Sequence, residues 1–355
     1  MGSFRSAVRA DSHNLDVLRA AAVLLVFCAH ALLQVIDVHL VPVANYGVWN
    51  LALNEVGRVG VLFFFVHTAL VLTLSLERTQ SRAPALNFYI RRIFRIYPLS
   101  VATILVVLVF KIPQTPAEAY SPWAWSEILA NMLLVQNLTH MQNIIQPLWT
   151  LPREMQMYLV LPLIYWAVRK FRSGAFVLAL WLALVVLTPK APMLLGALPS
   201  FLGGVFAYQL SRERVFRLPA LLWPAAIVIL FAAHAALYFT ILPDYRADFV
   251  FCMFLGILIP NILDMEKSWL TLACQTVAKY SYAIYLCHDP ILWLVFIKLA
   301  WMPLAARLMV LAAMMVAVPY IAYRFLEAPM IDAGRKLARL LDEPPAAAPV
   351  SAEAA

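Results

Sequence analysis

The sequence has 355 residues, of which 64% are apolar and only 13% charged, and its mean hydropathy is +0.81. Soluble globular chains are about 45–50% apolar and about 25% charged, so this composition excludes a soluble domain, a disordered chain and a basic nucleic-acid-binding domain. A polytopic membrane protein surrounded by membrane lipid remains, and in that class the net charge of +8 reports topology rather than an anionic partner.

Apolar windows long enough to cross a bilayer recur along the chain. They predict an all-α, polytopic transmembrane bundle of about ten spans, at residues 16–36, 57–77, 96–112, 148–167, 174–189, 193–211, 220–241, 247–264, 280–299 and 304–326. Residues 124–138 are too few and too polar to span, which favours an interfacial or re-entrant helix. The predicted organisation is an N-terminal segment (1–14), a transmembrane domain (15–332) and a largely disordered tail (333–355).

The positions of Lys and Arg predict the orientation of the bundle. With the N-terminus in the cytoplasm, 20 of the 27 basic residues fall in cytoplasmic segments, and the excess recurs at every alternate loop. Because basic residues are retained on the cytoplasmic side, we expect both termini to be cytoplasmic. The first apolar run lacks a small-residue cleavage site, so it is interpreted as an uncleaved first span.

Ionisable residues within the spans are the first functional candidates, because a charge inside a bilayer is costly. Arg19 and His30 are eleven residues apart in the first span, which places them on one helix face, about 16 Å apart along the axis. This face offers an anion-binding group at the cytoplasmic mouth and a titratable base deeper in the membrane. An arginine that extends to the interface and a histidine bonded to a carbonyl are the structural alternatives.

Arg92 and Arg95, in FYIRRIFRIYP, share a helix face. Pro98 suits the first turn of the third span, which would place the guanidinium groups beside a helix N-terminus, where phosphates bind. A purely topological role for these arginines stays open. Glu154 is predicted about two turns into the outer end of the fourth span, where it needs a partner and could orient a histidine.

Three further histidines lie in predicted spans. His288, followed by Pro290, either lines the same cavity or bonds carbonyls that the proline frees. His67 and His234 stand singly in apolar surroundings, where a structural role is favoured. No two of the seven histidines are closer than nine residues, so no metal site is expected, and the Walker, GxGxxG and GxSxG motifs are absent from the sequence.

Six segments, in order, resemble the acyltransferase 3 family: LDVLRAAAVLLVFCAH, LFFFVHTALVL, FYIRRIFRIYP, LWTLPREMQMYLVLP, SYAIYLCHDPI and YRFLEAPM. They cover residues from about 14 to 330 and include the family's hallmark, an arginine and a histidine separated by ten residues. The sequence resembles the stand-alone form of the family, without a second soluble domain. Val17, His67 and Cys287 stand where the family usually has glycine, an apolar residue and tryptophan.

The resemblance implies a membrane O-acyltransferase of the bacterial cytoplasmic membrane. It would move an acyl group, often acetyl, from cytoplasmic acyl-CoA to a hydroxyl of a carbohydrate or glycolipid at the outer side, as in polysaccharide O-acetylation. Acyl-CoA would be a co-substrate, with no permanently bound cofactor. Carried over by position, the catalytic residues are His30 and Glu154, the acyl-CoA-binding residues Arg19, Arg92 and Arg95, and the supporting cavity residues His288, Tyr158 and His67.

Two other classes of protein stay open. A transporter or flippase for a lipid-linked glycan or an organic anion would use the same intramembrane charges as its substrate pathway. The sequence lacks a convincing pair of Gly- or Pro-broken repeats, which makes this alternative less favoured. A non-catalytic assembly subunit is the third possibility.

Overall fold

The computed structural model describes residues 11–79, 81, 83–114, 120–187, 196–213, 217–242 and 244–341. The first ten residues of the predicted N-terminal segment and residues 342–355 of the predicted tail (333–355) lie outside the described residues. The tail was expected to be largely disordered, but its residues 333–340 are helical and belong to the helix Ala328–Leu340. The described part is all-α and contains no strand, only one isolated bridge between Leu218 and Ile262. The all-α part of the predicted fold class is thus confirmed, whereas the position of the two termini stays a prediction.

The helices, in chain order, are α1 His13–Asp37, α2 Tyr46–Arg78, α3 Pro84–Phe110, α4 Trp125–Met132, α5 Leu151–Phe171, α6 Gly174–Leu187, α7 Leu198–Leu210, α8 Leu222–Thr240, α9 Tyr245–Asn261, α10 Trp269–Trp293, α11 Leu304–Ala322 and α12 Ala328–Leu340. A 3-10 turn, Gln146–Trp149, precedes α5. Two π-helical segments, Leu294–Lys298 and Tyr323–Glu327, extend α10 and α11.

Within the described ranges, six helical stretches are long and apolar enough to cross a membrane by length and composition: His13–Asp37, Tyr46–Arg78, Pro84–Phe110, Leu222–Thr240, Trp269–Lys298 and Leu304–Leu340. The predicted number of about ten spans is not confirmed by this criterion and stays a prediction. The apolar α6 has 14 residues, α7 has 13 and α9 has 17, fewer than the about 20 that cross the hydrocarbon core. Hydropathy alone does not distinguish a lipid-facing span from a short helix enclosed by other helices.

Close backbone contacts hold the bundle together around α2 and α7. A Cβ on Gly203 would lie 2.1 Å from the carbonyl oxygen of Cys252 on α9, and a Cβ on Gly204 would lie 2.2 Å from the carbonyl oxygen of Val66 on α2. Only glycine allows helix backbones to approach this closely. The central helix α2 is accordingly the most enclosed of the six candidate spans.

The third predicted span needs a correction. It was expected to begin near residue 96, but α3 begins at Pro84, so Pro98 lies inside the helix rather than in its first turn. Arg92 and Arg95 therefore lie in the third and fourth turns of α3, and the helix N-terminus does not contribute to a phosphate site there. Hydropathy located the apolar part of α3 and missed its polar first turns.

The segment between α4 and α5 enters the core without regular structure over most of its length. Ile144 and Leu148 are fully buried. The amide of Asn131 satisfies the backbone there: its Nδ2 donates to Gln142 O at 2.8 Å, and its Oδ1 accepts from Ile144 N at 3.1 Å. Irregular backbone at membrane depth requires such enclosure by protein. As a result, α5 starts inside the bundle.

Candidate active site

A polar cavity of about 80 Å³ lies among α1, α2, α3, α5 and α10. This volume holds several water molecules. Six of the predicted site residues line it together: Arg19, His67, Arg92, Arg95, Glu154 and Tyr158. These six residues come from four helices, α1, α2, α3 and α5, and three of the six are arginines.

Arg19 reaches α10, where its Nε donates a 2.7 Å hydrogen bond to Ser281 Oγ. Ser281 is itself fixed to the backbone of α10, because its hydroxyl donates a hydrogen bond to Ala278 O at 2.8 Å. The guanidinium is thereby held at the cavity wall through Nε, which leaves its two terminal nitrogens available to bind a ligand. The arginine does not simply extend to the interface, which was the structural alternative.

Glu327, in the π-helical segment after α11, supplies a carboxylate that the sequence analysis missed. Its Oε1 lies 3.6 Å from Arg95 Nη2, and the side chain is fully buried. Neither oxygen has a hydrogen-bond donor among the described residues. The predicted tenth span stopped at residue 326, so Glu327 was not counted among the intramembrane charges. The acidic residue within the segment YRFLEAPM, one of the six that resemble the family, was the feature of the sequence that could have identified it.

Arg92 lies with its guanidinium carbon 5.9 Å from the ring centroid of Phe88, on the face of α3 that lines the cavity. Its Nε is buried and has no hydrogen-bond acceptor among the residues that the structure describes. A buried donor without an acceptor is costly. Arg92 thus lines the cavity and keeps one buried donor unsatisfied.

Glu154 lies in the first turn of α5 rather than two turns into the helix, because α5 begins at Leu151. Its Oε2 accepts a 2.6 Å hydrogen bond from the Tyr158 hydroxyl one turn later. Its neighbour Arg153 points elsewhere, donating to Trp149 O at 3.0 Å. Glu154 thus balances part of the arginine charge and has no described contact with a histidine.

His30 and His288 form a hydrogen-bonded pair between α1 and α10. The Nδ1 atom of His30 lies 2.8 Å from Nε2 of His288, and Nδ1 of His288 lies 3.2 Å from the carbonyl oxygen of Ile284. His288 is fully buried, whereas His30 is partly exposed. His288 thus bonds a carbonyl of its own helix, that of Ile284 rather than one that Pro290 frees, and it faces His30 rather than lining the cavity.

The histidine pair and the arginine-lined cavity are neighbours separated by aromatic side chains. Neither His30 nor His288 is among the cavity-lining residues. Tyr285 lines the cavity and lies 6.1 Å from His288 between ring centroids, and Phe64 packs edge-on to Tyr285 at 5.9 Å. The Tyr285 hydroxyl lies 2.9 Å from Thr150 Oγ1. Tyr285 thus contacts both the cavity and His288, and Phe64 packs beside it.

His30, His288 and Asp289 could also be considered as metal ligands, since their donor atoms lie within 4.8 Å of one another. Two imidazole nitrogens on one tetrahedral zinc lie about 3.3 Å apart, given Zn–N bonds of about 2.0–2.1 Å. The observed 2.8 Å is shorter than that and typical of a hydrogen bond. The arrangement fits a hydrogen-bonded pair better than a metal centre.

A second buried polar cluster joins α2, α8 and α9. Asp248 accepts from Arg58 through Nε at 2.9 Å, and its Oδ1 lies 3.1 Å from His234 Nε2. Arg58 also pairs with Glu55 at 3.2 Å. The structure gives His234 a carboxylate partner remote from the cavity lining, so the cluster is interpreted as a structural network that ties these helices together.

Fold and site together define an all-helical membrane protein with a cationic internal cavity beside a histidine pair. The family model described as an acyltransferase domain, acyltransferase 3, matches residues 12–324. The chain belongs to this family. Over 163 residues it is 31% identical to the acyltransferase MdmB of Streptomyces mycarofaciens, a match that covers 44% of this chain and 40% of that protein. No solved structure matches the chain.

Proposed function

We propose that the protein is an acyl-CoA-dependent O-acyltransferase of the bacterial cytoplasmic membrane that transfers an acyl group, in the first instance acetyl, to a hydroxyl of a carbohydrate or glycolipid at the outer side. Membership of the acyltransferase family supports the reaction class. The observation that carries the proposal is the histidine pair next to a buried, arginine-rich cavity.

The proposed topology has about ten spans with both termini in the cytoplasm, as the distribution of basic residues predicts. Arg19 lies near the start of α1 and His30 eleven residues later on the same face. A donor entering from the cytoplasm would therefore meet the arginines first and the imidazole about 16 Å further along α1. An acceptor would approach His30 from the other side.

The donor site is proposed at Arg19, Arg92 and Arg95. The cavity lining holds these three guanidinium groups against the single carboxylate of Glu154. With Glu327 behind Arg95, a positive charge is still unbalanced, and guanidinium groups bind phosphates through paired, charge-assisted hydrogen bonds. The thin pantetheine arm would extend past Phe64 and Tyr285 towards His30, which requires these side chains to move.

The chemistry proposed at His30 is general-base catalysis. The imidazole takes the proton of the acceptor hydroxyl while the hydroxyl oxygen attacks the thioester carbonyl carbon. The C–S bond then breaks, and the imidazolium returns the proton to the leaving thiolate, so that an ester and free CoA are formed. Glu154 is proposed to assist through its charge, balancing the arginines and handling protons beside Tyr158, since the described partner of His30 is His288.

The test is transfer of label from radioactive acetyl-CoA to extracted carbohydrate and lipid by membranes that contain the protein. We expect His30→Ala to lose transfer by about 10²–10⁴-fold, the usual contribution of a general base, with the protein still present in the membrane. His67→Gln, at the histidine that lines the arginine-rich cavity, tests whether the loss is specific to His30. Wild-type transfer by His30→Ala would overturn the mechanism, and uptake of substrate without covalent label would indicate a transporter instead.

A further inference from the structure

The histidine pair has a defined hydrogen-bond direction. A carbonyl oxygen only accepts, so Nδ1 of His288, 3.2 Å from Ile284 O, carries its hydrogen. In the neutral ring the opposite nitrogen, Nε2, is then an acceptor. The group 2.8 Å from it, Nδ1 of His30, must therefore be the donor.

We propose that His288 is a positioning residue that holds His30 in the tautomer protonated at Nδ1, so that Nε2 of His30 takes the proton of the acceptor in the space beside Gly57. This inference rests on the proposed function and adds which nitrogen reacts and where. Gly57 is assigned as the residue that leaves this space open.

The position of Nε2 supports the assignment. A Cβ on Gly57 of α2 would lie 3.9 Å from Nε2 of His30, so this nitrogen faces the helix backbone where a side chain is missing. No hydrogen bond to Nε2 occurs among the described residues, and His30 is only partly buried. The same Cβ would lie 4.0 Å from Cδ2 of His30, so the Nε2 edge of the ring lies beside a position of α2 that carries no side chain.

Gly57 is not required for helix packing, in contrast to Gly60 one turn later. A Cβ at Gly57 would meet Ala29 Cβ at 3.4 Å, an ordinary van der Waals contact, whereas one at Gly60 would lie 2.6 Å from the carbonyl oxygen of Ala22. The close approach of α1 and α2 therefore explains Gly60 and leaves Gly57 unexplained. The absence of a side chain at Gly57 leaves space beside the reactive nitrogen.

The proton balance of the pair is simple. When Nε2 takes the acceptor proton, Nδ1 of His30 keeps its own and donates to Nε2 of His288 more strongly, because the ring is now positive. Release of the Nε2 proton to the leaving thiolate restores the starting state. His288 keeps its Nδ1 proton on Ile284 O throughout, so it orients the base and stabilises the imidazolium without being consumed.

The first experiment replaces His288 in the full-length protein with acetyl-CoA as donor. His288→Gln retains an oxygen that accepts from His30 Nδ1, and His288→Phe retains only the ring. We expect His288→Phe to lower kcat by about 10²-fold, with the KM for acetyl-CoA unchanged, and His288→Gln to recover most of the loss. The matched control is His234→Phe, a buried histidine remote from the cavity, which should lower thermal stability and leave kcat unchanged.

The second experiment uses Gly57→Ala, with Gly47→Ala, in open surroundings, as its control. The methyl group fits the packing but lies in front of Nε2, so kcat/KM for the acceptor should fall at least 10-fold while thermal stability is retained. A third measurement reads the tautomer directly: ¹⁵N spectra of histidine-labelled protein, assigned with His30→Ala, should show the His30 proton at Nδ1.

The outcomes separate the two proposals. Full activity of His30→Ala would refute the general-base mechanism of the proposed function. An inactive His30→Ala combined with wild-type kcat in His288→Phe, or with a His30 proton at Nε2 in the wild-type spectrum, would overturn the positioning role alone. If His288→Phe does not fold, the wild-type spectrum and the Gly57→Ala variant still test the positioning role. Unchanged acceptor kinetics in Gly57→Ala would show that the acceptor does not react in the space beside Gly57.

Discussion

Glu327, fully buried after α11, faces Arg95 of α3 with its Oε1 atom 3.6 Å from the arginine Nη2. The pair joins the last part of the chain to the helix that carries the proposed donor site. It also keeps a carboxylate within the protein core, where an unpaired charge would be unstable. The cationic cavity is therefore stable only with an acid that the cavity-lining residues do not include.

Replacing Glu327 by Gln tests this dependence. The variant leaves Arg95 without its carboxylate, and breaking a buried ion pair from one side costs about 3–5 kcal/mol. Because the Arg95 side chain is 24% exposed, we expect the lower part of that range. Thermal unfolding in detergent measures the effect, with the exposed Glu266→Gln as control. An unchanged unfolding temperature in Glu327→Gln would show that the pair contributes nothing.

The donor site predicts a difference between two adjacent arginines. Arg92 lines the cavity and Arg91 does not, although both are partly buried on α3. A charge-assisted hydrogen bond contributes about 1.5–3 kcal/mol, so Arg92→Ala should raise the KM for acyl-CoA about 10-fold or more. Arg91→Ala should leave it near the wild-type value. Equal KM values for acyl-CoA in the two variants would indicate that both arginines serve only membrane topology.

Glu154 and Tyr158 allow charge and hydrogen bonding to be separated. Glu154→Gln keeps an oxygen that accepts from the Tyr158 hydroxyl but removes the negative charge. We expect its kcat to fall by about 10-fold or more, with little change in unfolding temperature, because acid–base groups contribute about 10²–10⁴-fold when they act directly. Tyr158→Phe should cause a smaller loss.

The control for this pair is Tyr165→Phe, on the same helix and outside the cavity lining. Its transfer rate should match that of the wild type. If Glu154→Gln is fully active, the carboxylate has only a structural role and the proton-handling proposal fails.

The close packing of α7 predicts a strong effect on folding. A Cβ on Gly203 would lie 2.1 Å from the Cys252 carbonyl oxygen, a backbone atom that cannot move without separating α7 from α9. Gly203→Ala should therefore prevent accumulation of folded protein in membranes. Gly47→Ala, whose Cβ would meet only a side-chain oxygen at 3.7 Å, should accumulate normally. Size-exclusion chromatography in detergent compares the two, and a monodisperse Gly203→Ala would contradict this packing.

Part of the site could be predicted because helical periodicity shows which residues of one helix share a face. Arg19 and His30 share one face of α1 by helical geometry alone, as do Arg92 and Arg95 on α3. The start of α3 could not be predicted from hydropathy, since its first turns are polar. Glu327 was missed because the hydropathy window of the last span ended one residue before it. The sequence around Glu327 also does not indicate a salt bridge to a helix more than 200 residues away.

The sequence by itself determined the class of the protein, because excess apolar surface can be accommodated only in a membrane or among other apolar helices. It also determined the family, through motifs in a fixed order. Only the tertiary structure decided the partners: His288 for His30, Tyr158 for Glu154 and Glu327 for Arg95. Helical periodicity assigns a side chain to a face, but which residue lies opposite depends on how distant helices cross, and glycines on α2 and α7 set those crossings.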